Sequence, residues 1–122
     1  MNKKVLIVDD IFSNRLLLGS TLESINIDYE AVENGQMAID YIRTTKVSII
    51  LLDIEMPVMN GIETAKFIRE EMSSELNNIP IIALTAHNPD EYKDRIYEAG
   101  FNEILSKPYS VEKISAIIEK YT

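Results

Sequence analysis

Three runs of nearly continuous apolar residues constrain the fold of this chain more than any other feature. They are Val5–Val8, Val47–Leu52 and Ile79–Leu84. A strand with one wet face alternates apolar and polar residues, whereas a strand of a parallel sheet that helices cover on both sides is apolar throughout. The runs therefore predict buried parallel strands. The first run is too short to be a signal sequence or a membrane span.

Two weaker segments complete a regular pattern of strand candidates. The starts of the five candidates are far enough apart to leave room for one helix in each gap. Because crossovers between parallel strands are right-handed, such β-α units predict an α/β fold, a doubly wound five-stranded parallel sheet with helices on both faces. The candidates are Lys4–Val8, Asp28–Glu33, Val47–Leu52, Ile79–Leu84 and Asn102–Leu105.

Polar residues and glycine mark the expected helix ends. Ser13, Asn34 and Ser110 are predicted N-caps, because their side chains can accept hydrogen bonds from backbone N–H groups of the first turn. Asn88–Pro89 is typical of the start of a further helix, which Gly100 would end.

Length and composition limit the classes of function. The 122 residues are predicted to form one domain, 1–122, with Met1 suggesting a natural start. The formal charge of −8 argues against a nucleic-acid surface, which needs clustered Lys and Arg. The absence of cysteine excludes disulfides and suits a reducing compartment. A cytoplasmic protein without membrane attachment is expected.

Acidic residues follow the predicted strands where a doubly wound sheet binds its ligands, beyond the carboxyl ends. Asp9 and Asp10 follow the first strand, Asp53 ends the third, Thr85 ends the fourth, and Lys107 follows the fifth. Three carboxylates and one ammonium leave a net negative charge that suits one hard divalent cation. Mg²⁺ prefers oxygen ligands and keeps several waters, so a few protein oxygens suffice.

With its charge offset, Asp53 could attack a phosphoryl group as a carboxylate nucleophile and form an acyl phosphate. Lys107 would neutralise charge on the transferring oxygens, and the Thr85 hydroxyl would bond to the phosphoryl group. Each of these residues, taken singly, has an ordinary structural interpretation as a loop acid, a strand residue or a solvated lysine. The hypothesis rests on the occurrence of all of these residues at one edge of the predicted sheet.

In their order and spacing these motifs resemble the receiver domain of two-component response regulators, over the whole chain. The resemblance implies a flavodoxin-like fold with strand order 2-1-3-4-5, and often a cis peptide bond before the proline of the last motif. The motifs that carry it are Asp9–Asp10, Asp53, Met56–Pro57, Asn60–Gly61, Thr85–Ala86 and Lys107–Pro108.

The resemblance also assigns roles to the site residues. It implies that Asp53 is the phosphoacceptor, and that Asp10, Asp53 and the backbone carbonyl of Glu55 hold Mg²⁺, with Asp9 helping through water. It further implies that Lys107 contacts the phosphoryl oxygens and that Thr85 is the switch hydroxyl. The implied partners are a sensor histidine kinase or a histidine phosphotransfer domain, and a downstream protein target.

Two features set the chain apart within this pattern. Ile104 stands where the family usually has Tyr or Phe. A branched aliphatic side chain cannot repeat the ring rotation that usually couples phosphorylation to the face formed by the fourth helix, the fifth strand and the fifth helix. Glu55 and His87, each two residues beyond a site residue, should tune phosphate lifetime. Because the chain has no second histidine with which to form a soft-metal site, His87 is interpreted as a loop residue and not as a metal ligand.

Apolar residues near the first acidic pair exceed what one buried helix stripe needs. They fit a docking surface for the phosphotransfer partner, and they fit core packing equally well. The residues are Ile11, Phe12, Leu16 and Leu17.

Three functions follow from these patterns. A phosphoacceptor receiver that is not itself an enzyme accounts for the whole motif set. A binding module that does not use phosphorylation would account for Ile104. A phosphohydrolase with an aspartyl-phosphate intermediate would want a second aspartate two residues after Asp53, where Glu55 stands.

Overall fold

Strands and helices alternate along the whole described part of the chain. The computed structural model describes residues 3–56, 59–86 and 93–122. Within these ranges the elements are β1 (Lys4–Val8), α1 (Phe12–Ser24), β2 (Asp28–Val32), α2 (Gly35–Thr44), β3 (Ile49–Asp53), α3 (Gly61–Glu71), β4 (Ile81–Thr85), α4 (Lys93–Glu98), β5 (Glu103–Ser106) and α5 (Val111–Tyr121).

The strands form one parallel sheet in the order β2-β1-β3-β4-β5, which confirms the predicted fold class and strand order. The register aligns Val8 with Leu52 and Thr85 with Ser106 across neighbouring strands. The carboxyl ends of β1, β3, β4 and β5 therefore meet at one edge of the sheet, where the strand order reverses between β1 and β3.

The two faces of the sheet bury separate apolar clusters. Leu6 and Ile50 point into a cluster that α2, α3 and α4 cover. Ile7 and Leu51, which alternate with them along the same strands, point into the cluster that α1 and α5 cover. Both sides of β1 and β3 are thus dry, which is the physical reason for their continuous apolar runs.

Helix ends follow the sequence signals at three of the four predicted positions that the structure describes. Asn34 accepts a hydrogen bond from the Met37 N–H, and Ser110 accepts one from the Lys113 N–H. Gly100 adopts φ +104°, which a residue with a side chain rarely reaches. The prediction for Ser13 was wrong. The predicted start at Asn88–Pro89 lies outside the described residues.

The first helix begins earlier than predicted, at Phe12, and Ile11 at its N-cap makes no side-chain capping bond. The Asp9 carboxylate instead accepts a hydrogen bond from the Ile11 N–H at 2.9 Å. The acid that directly follows β1 therefore anchors the start of α1, and Ser13 lies within the helix.

One half-buried arginine ties three segments together at the opposite end of the sheet. The Arg69 guanidinium donates hydrogen bonds to the carbonyl oxygens of Gly100, Asn77 and Ile79 and to the Asn102 side chain. These bonds connect α3 to the start of β4 and to the loop after α4. Across the described ranges, no helix is both long enough and apolar enough to span a membrane.

Candidate functional site

Three carboxylates converge at the carboxyl edge of the sheet. Carboxylate oxygens of Asp9, Asp10 and Asp53 all lie within 4.8 Å of one another. Asp9 and Asp53 are buried, whereas Asp10 is exposed. Three like charges at such distances repel one another unless a cation or a proton offsets them. The structure thus brings together the predicted acidic residues.

The buried carboxylate of Asp9 is held by the first turn of α1. The Asn14 side-chain amide donates to both of its oxygens, at 3.4 and 3.2 Å. The Arg15 guanidinium donates to the Asp9 backbone oxygen at 2.8 Å and pairs with Glu33 at 3.5 Å. Sequence reasoning missed Asn14 and Arg15. The spacing was the available signal. Residues one helical turn after the acidic pair place their side chains beside the end of the strand.

Asp53 is the last residue of β3 and is only 7% exposed. Its Oδ1 atom accepts a hydrogen bond from the Glu55 N–H at 3.0 Å. Burial raises the pKa of Asp53 from its ordinary value of 3.8 to about 6. The Glu55 N–H and the Lys107 charge oppose that rise, and the Asp9 and Asp10 charges add to it. At neutral pH the Asp53 carboxylate is therefore charged in a buried environment that disfavours the charged form.

This raised pKa predicts a pH-dependent gain in stability for Asp53→Asn in the absence of divalent cations. The folded state keeps the Asp53 proton up to pH about 6, whereas the unfolded state releases it near its ordinary pKa of 3.8. The folded state therefore binds more protons between these values, and this group lowers stability as pH rises through that window. At pH 7.5 the variant should exceed the parent by about 1–3 kcal/mol in urea unfolding.

The difference between Asp53→Asn and the parent should shrink when the same unfolding curves are recorded at pH 4. Asp28→Asn is a matched control, because Asp28 is an exposed acid at the start of β2. A gain that is the same at both pH values would contradict the role of buried charge.

The other two predicted residues with side-chain roles lie at the ends of β4 and β5. Thr85 is the last residue of β4 and is 1% exposed. The backbone N–H of Lys107 donates to the Thr85 carbonyl at 3.0 Å, which ties the two loops together. The charge of Lys107 lowers the pKa of Asp53, so the two groups interact electrostatically. The Lys107–Pro108 peptide bond is cis, as the resemblance implied.

The donor set fits Mg²⁺ better than a softer metal. All of the clustered donors are carboxylate oxygens, and no thiolate is available in the chain. Hard oxygen ligands around a compact negative site favour Mg²⁺ or a similar hard cation. Asp10, Asp53 and the Glu55 carbonyl remain the predicted direct ligands, and Asp9 remains the predicted ligand through water.

The first turns of α1 expose large apolar side chains beside this site. The exposed fractions of Ile11, Phe12, Leu16 and Leu17 run from 50% to 68%. Of the two interpretations that the sequence allowed, core packing is therefore excluded. Leu17 also borders a groove of about 220 Å³ between α1 and the loop after β5.

The structure describes the environment of Ile104 but not that of His87. Ile104 packs half-buried against the cluster under α2, α3 and α4, so an aliphatic residue occupies the place of the usual aromatic ring. His87 and Pro57 lie outside the described residues, so the predicted influence of His87 on phosphate lifetime stays a prediction.

Comparison with known sequences places this geometry in a family. The family model described as "Response regulator receiver domain" matches residues 5–119. The response regulator DivK of Brucella anthropi is 33% identical over 121 residues, which are 99% of this chain and 97% of DivK. The sensor histidine kinase GacS of Pseudomonas protegens is 33% identical over 120 residues, 98% of this chain but 13% of GacS.

Solved structures agree with the sequence comparison. The receiver domain of the sensor histidine kinase PA1611 from Pseudomonas aeruginosa has a TM-score of 0.89 at 26% identity, covering 99% of this chain and 98% of that one. Its structure has a magnesium ion coordinated in the active site cleft. The Ssk1 receiver of Saccharomyces cerevisiae, crystallised with the histidine phosphotransfer protein Ypd1, has a TM-score of 0.87 at 32% identity, with 98% and 88% coverage.

Proposed function

Because the chain belongs to the response regulator receiver domain family, we propose that it accepts a phosphoryl group on Asp53 from a phosphohistidine partner, in the presence of Mg²⁺. The observation that carries the proposal is the convergence of three carboxylates, two of them buried, beside a lysine. Labelling of the protein by a small phosphodonor, with and without Mg²⁺, is the direct test.

The proposed transfer is a displacement at phosphorus. The Oδ2 atom of Asp53 attacks, because Oδ1 is held by the Glu55 N–H. A P–O bond forms as the P–N bond to the donor histidine breaks, and the bonding electron pair stays on the imidazole nitrogen. Mg²⁺, when bound by Asp10, Asp53 and the Glu55 carbonyl, offsets the charge of the acidic cluster and of the phosphoryl oxygens. The magnesium-containing PA1611 receiver supports this cofactor.

Lys107 and Thr85 would act on the phosphoryl group from the neighbouring strand ends. The Lys107 ammonium, which already interacts with Asp53, would neutralise developing charge. The Thr85 hydroxyl would bond to the new phosphoryl group and draw its loop inward. The phosphoryl group adds a charge of roughly −1.5 to −2, which would alter a surface read by a downstream protein.

The phosphotransfer partner is proposed to dock on the exposed apolar side chains at the start of α1. These side chains lie directly after the acidic pair, so a partner seated there would reach Asp53. The pairing of the Ssk1 receiver with a histidine phosphotransfer protein supports a partner of this class. A sensor histidine kinase is the other member of the class, as the match to part of GacS suggests.

Phe12→Ser should separate partner docking from chemistry. Phe12 is 68% exposed, so its loss should leave folding and labelling by phosphoramidate nearly unchanged. Transfer from a purified phosphotransfer domain charged on its histidine should slow by about tenfold, the effect of one interface anchor. Met37→Ser is the matched control, because Met37 is 42% exposed on α2, across the sheet. Equal transfer rates for both variants would place the docking surface elsewhere.

A second candidate is a receiver-like module that binds protein without phosphorylation, and Ile104 is the observation that favours it. An aliphatic side chain cannot repeat the movement of the usual aromatic ring. The intact acidic cluster argues against this candidate, since a module relieved of phosphorylation has no need to crowd three carboxylates. Failure to bind Mg²⁺ in the millimolar range would favour it.

The chain is proposed to act as a signalling module and not as a turnover enzyme. Slow release of phosphate from Asp53 is the only reaction expected beyond the transfer itself. A cytoplasmic location, the absence of nucleic-acid binding and a single-domain organisation over 1–122 remain predictions from the sequence.

A further inference from the structure

The residue after the Lys107–Pro108 motif carries an unexplained polar group. The Tyr109 hydroxyl is buried and has no hydrogen-bond partner among the described residues. Its ring packs against the cluster that α1 and α5 cover. A buried hydroxyl without a partner costs free energy, so such a group in a native fold calls for a functional or structural reason.

The position of Tyr109 connects it to the acidic site. It lines the groove of about 220 Å³ together with Asn14 and Lys107. The Asn14 amide donates to the Asp9 carboxylate, so the groove wall and the acidic cluster are contiguous. Burial raises the pKa of Tyr109, and the charges of Asp53 and Asp9 raise it further. The phenol is therefore a neutral proton donor within electrostatic reach of both carboxylates.

Within the described part of the chain, no group accepts a hydrogen bond from this donor. Asp53 Oδ1 accepts from the Glu55 N–H, and both Asp9 oxygens accept from Asn14. The hydroxyl oxygen itself has almost no solvent-exposed surface. A phosphoryl group on Asp53 would bring three additional acceptor oxygens with negative charge to the site beside it.

We propose that Tyr109 is a phosphoryl-binding residue, whose buried hydroxyl donates a hydrogen bond to a phosphoryl oxygen once Asp53 is loaded. The inference rests on the proposed function, because it requires a phosphoryl group at Asp53. It adds a fourth side chain to Asp53, Thr85 and Lys107. The hydroxyl has no hydrogen-bond partner before phosphorylation and gains one after it. The hydroxyl therefore favours the phosphorylated state.

Tyr109→Phe tests this bond because it removes the hydroxyl and keeps the ring. Beryllofluoride, which mimics a phosphoryl group on a carboxylate, serves as the probe at saturating Mg²⁺, with calorimetry as the readout. Its affinity should fall by about tenfold to a hundredfold, the range for a hydrogen bond to a charged group. Affinity for Mg²⁺ alone should stay within about twofold, and the unloaded variant should unfold at no lower urea concentration than the parent.

Tyr29→Phe is the matched control. The Tyr29 hydroxyl donates to Glu23 at 3.0 Å, so its removal should lower stability slightly and leave beryllofluoride affinity unchanged. Beryllofluoride affinity of Tyr109→Phe equal to that of the parent would overturn the inference. So would an equal loss of affinity for Mg²⁺ alone, which would assign the hydroxyl to the ion site. If the parent binds no beryllofluoride and is not labelled, the proposed function fails and the inference falls with it.

Discussion

Asp53→Asn is expected to abolish phosphoryl labelling of this protein. An amide has no carboxylate oxygen with which to attack phosphorus, and it cannot form an acyl phosphate. Labelling by phosphoramidate with Mg²⁺ should fall by at least about a thousandfold, which is the scale of losing a nucleophile. Intact-mass spectrometry over a time course measures the result.

The structure makes this test sharp, because the substitution should not damage the fold. Asp53 is a buried acid whose raised pKa marks a destabilising charge, so the amide is expected to stabilise the protein. Loss of labelling in a variant that is more stable than the parent cannot come from unfolding. Asp40→Asn, an exposed acid on α2, is the matched control and should label like the parent. Labelling of Asp53→Asn at the parental rate would end the proposal.

Gly61→Ala is expected to lower the free energy of unfolding more than any other substitution proposed for this chain. Gly61 is the first residue of α3 and packs directly on the strand end that carries Asp53. A methyl group there would lie 2.6 Å from the Ile54 Cα and closer still to the Asp53 carbonyl oxygen. Both neighbours are backbone, so either α3 or the end of β3 must move. Urea unfolding should show a loss of about 2–4 kcal/mol.

Gly19→Ala provides the matched control for this effect. Its new methyl group would lie 2.5 Å from the Tyr29 hydroxyl, but the neighbouring atoms belong to one half-buried side chain that can turn away. Alanine inside α1 also gains up to about 1 kcal/mol of helix propensity over glycine. The control should therefore change stability by less than about 1 kcal/mol. If Gly19→Ala lost more stability than Gly61→Ala, the backbone after β3 would be able to move and accommodate the methyl group at little cost.

Much of the fold could be predicted from the sequence because its signals are local or periodic. Continuous apolar runs require helices on both faces, and that requirement leads to the doubly wound sheet. Asn34 and Ser110 cap helices through bonds to residues three positions away, so their roles are visible in the chain itself. The cap at Ser13 was predicted wrongly, because α1 already begins at Phe12 and the Ile11 N–H before it donates to Asp9, which directly follows β1.

The residues that form the site could be predicted from the sequence, but the burial of each side chain could not. Parallel strands of known order bring their carboxyl ends to one edge, so Asp9, Asp10 and Asp53 could be placed together from sequence. Nothing in the sequence distinguished the buried Asp9 from the exposed Asp10. Their difference depends on where β1 stops and on how the first turn of α1 returns over it.

The sequence by itself determined the sheet, its covering helices and the acidic edge, because hydrophobic burial and strand order follow from the pattern of residues along the chain. Only the tertiary structure decided the surroundings of single polar groups. The exposure of Phe12, the bonds of Arg69 and the lack of a partner for the Tyr109 hydroxyl among the described residues each depend on segments distant in sequence. A polar group's free energy depends on its hydrogen-bond partners, on the charges around it and on its access to water, and packing determines all three.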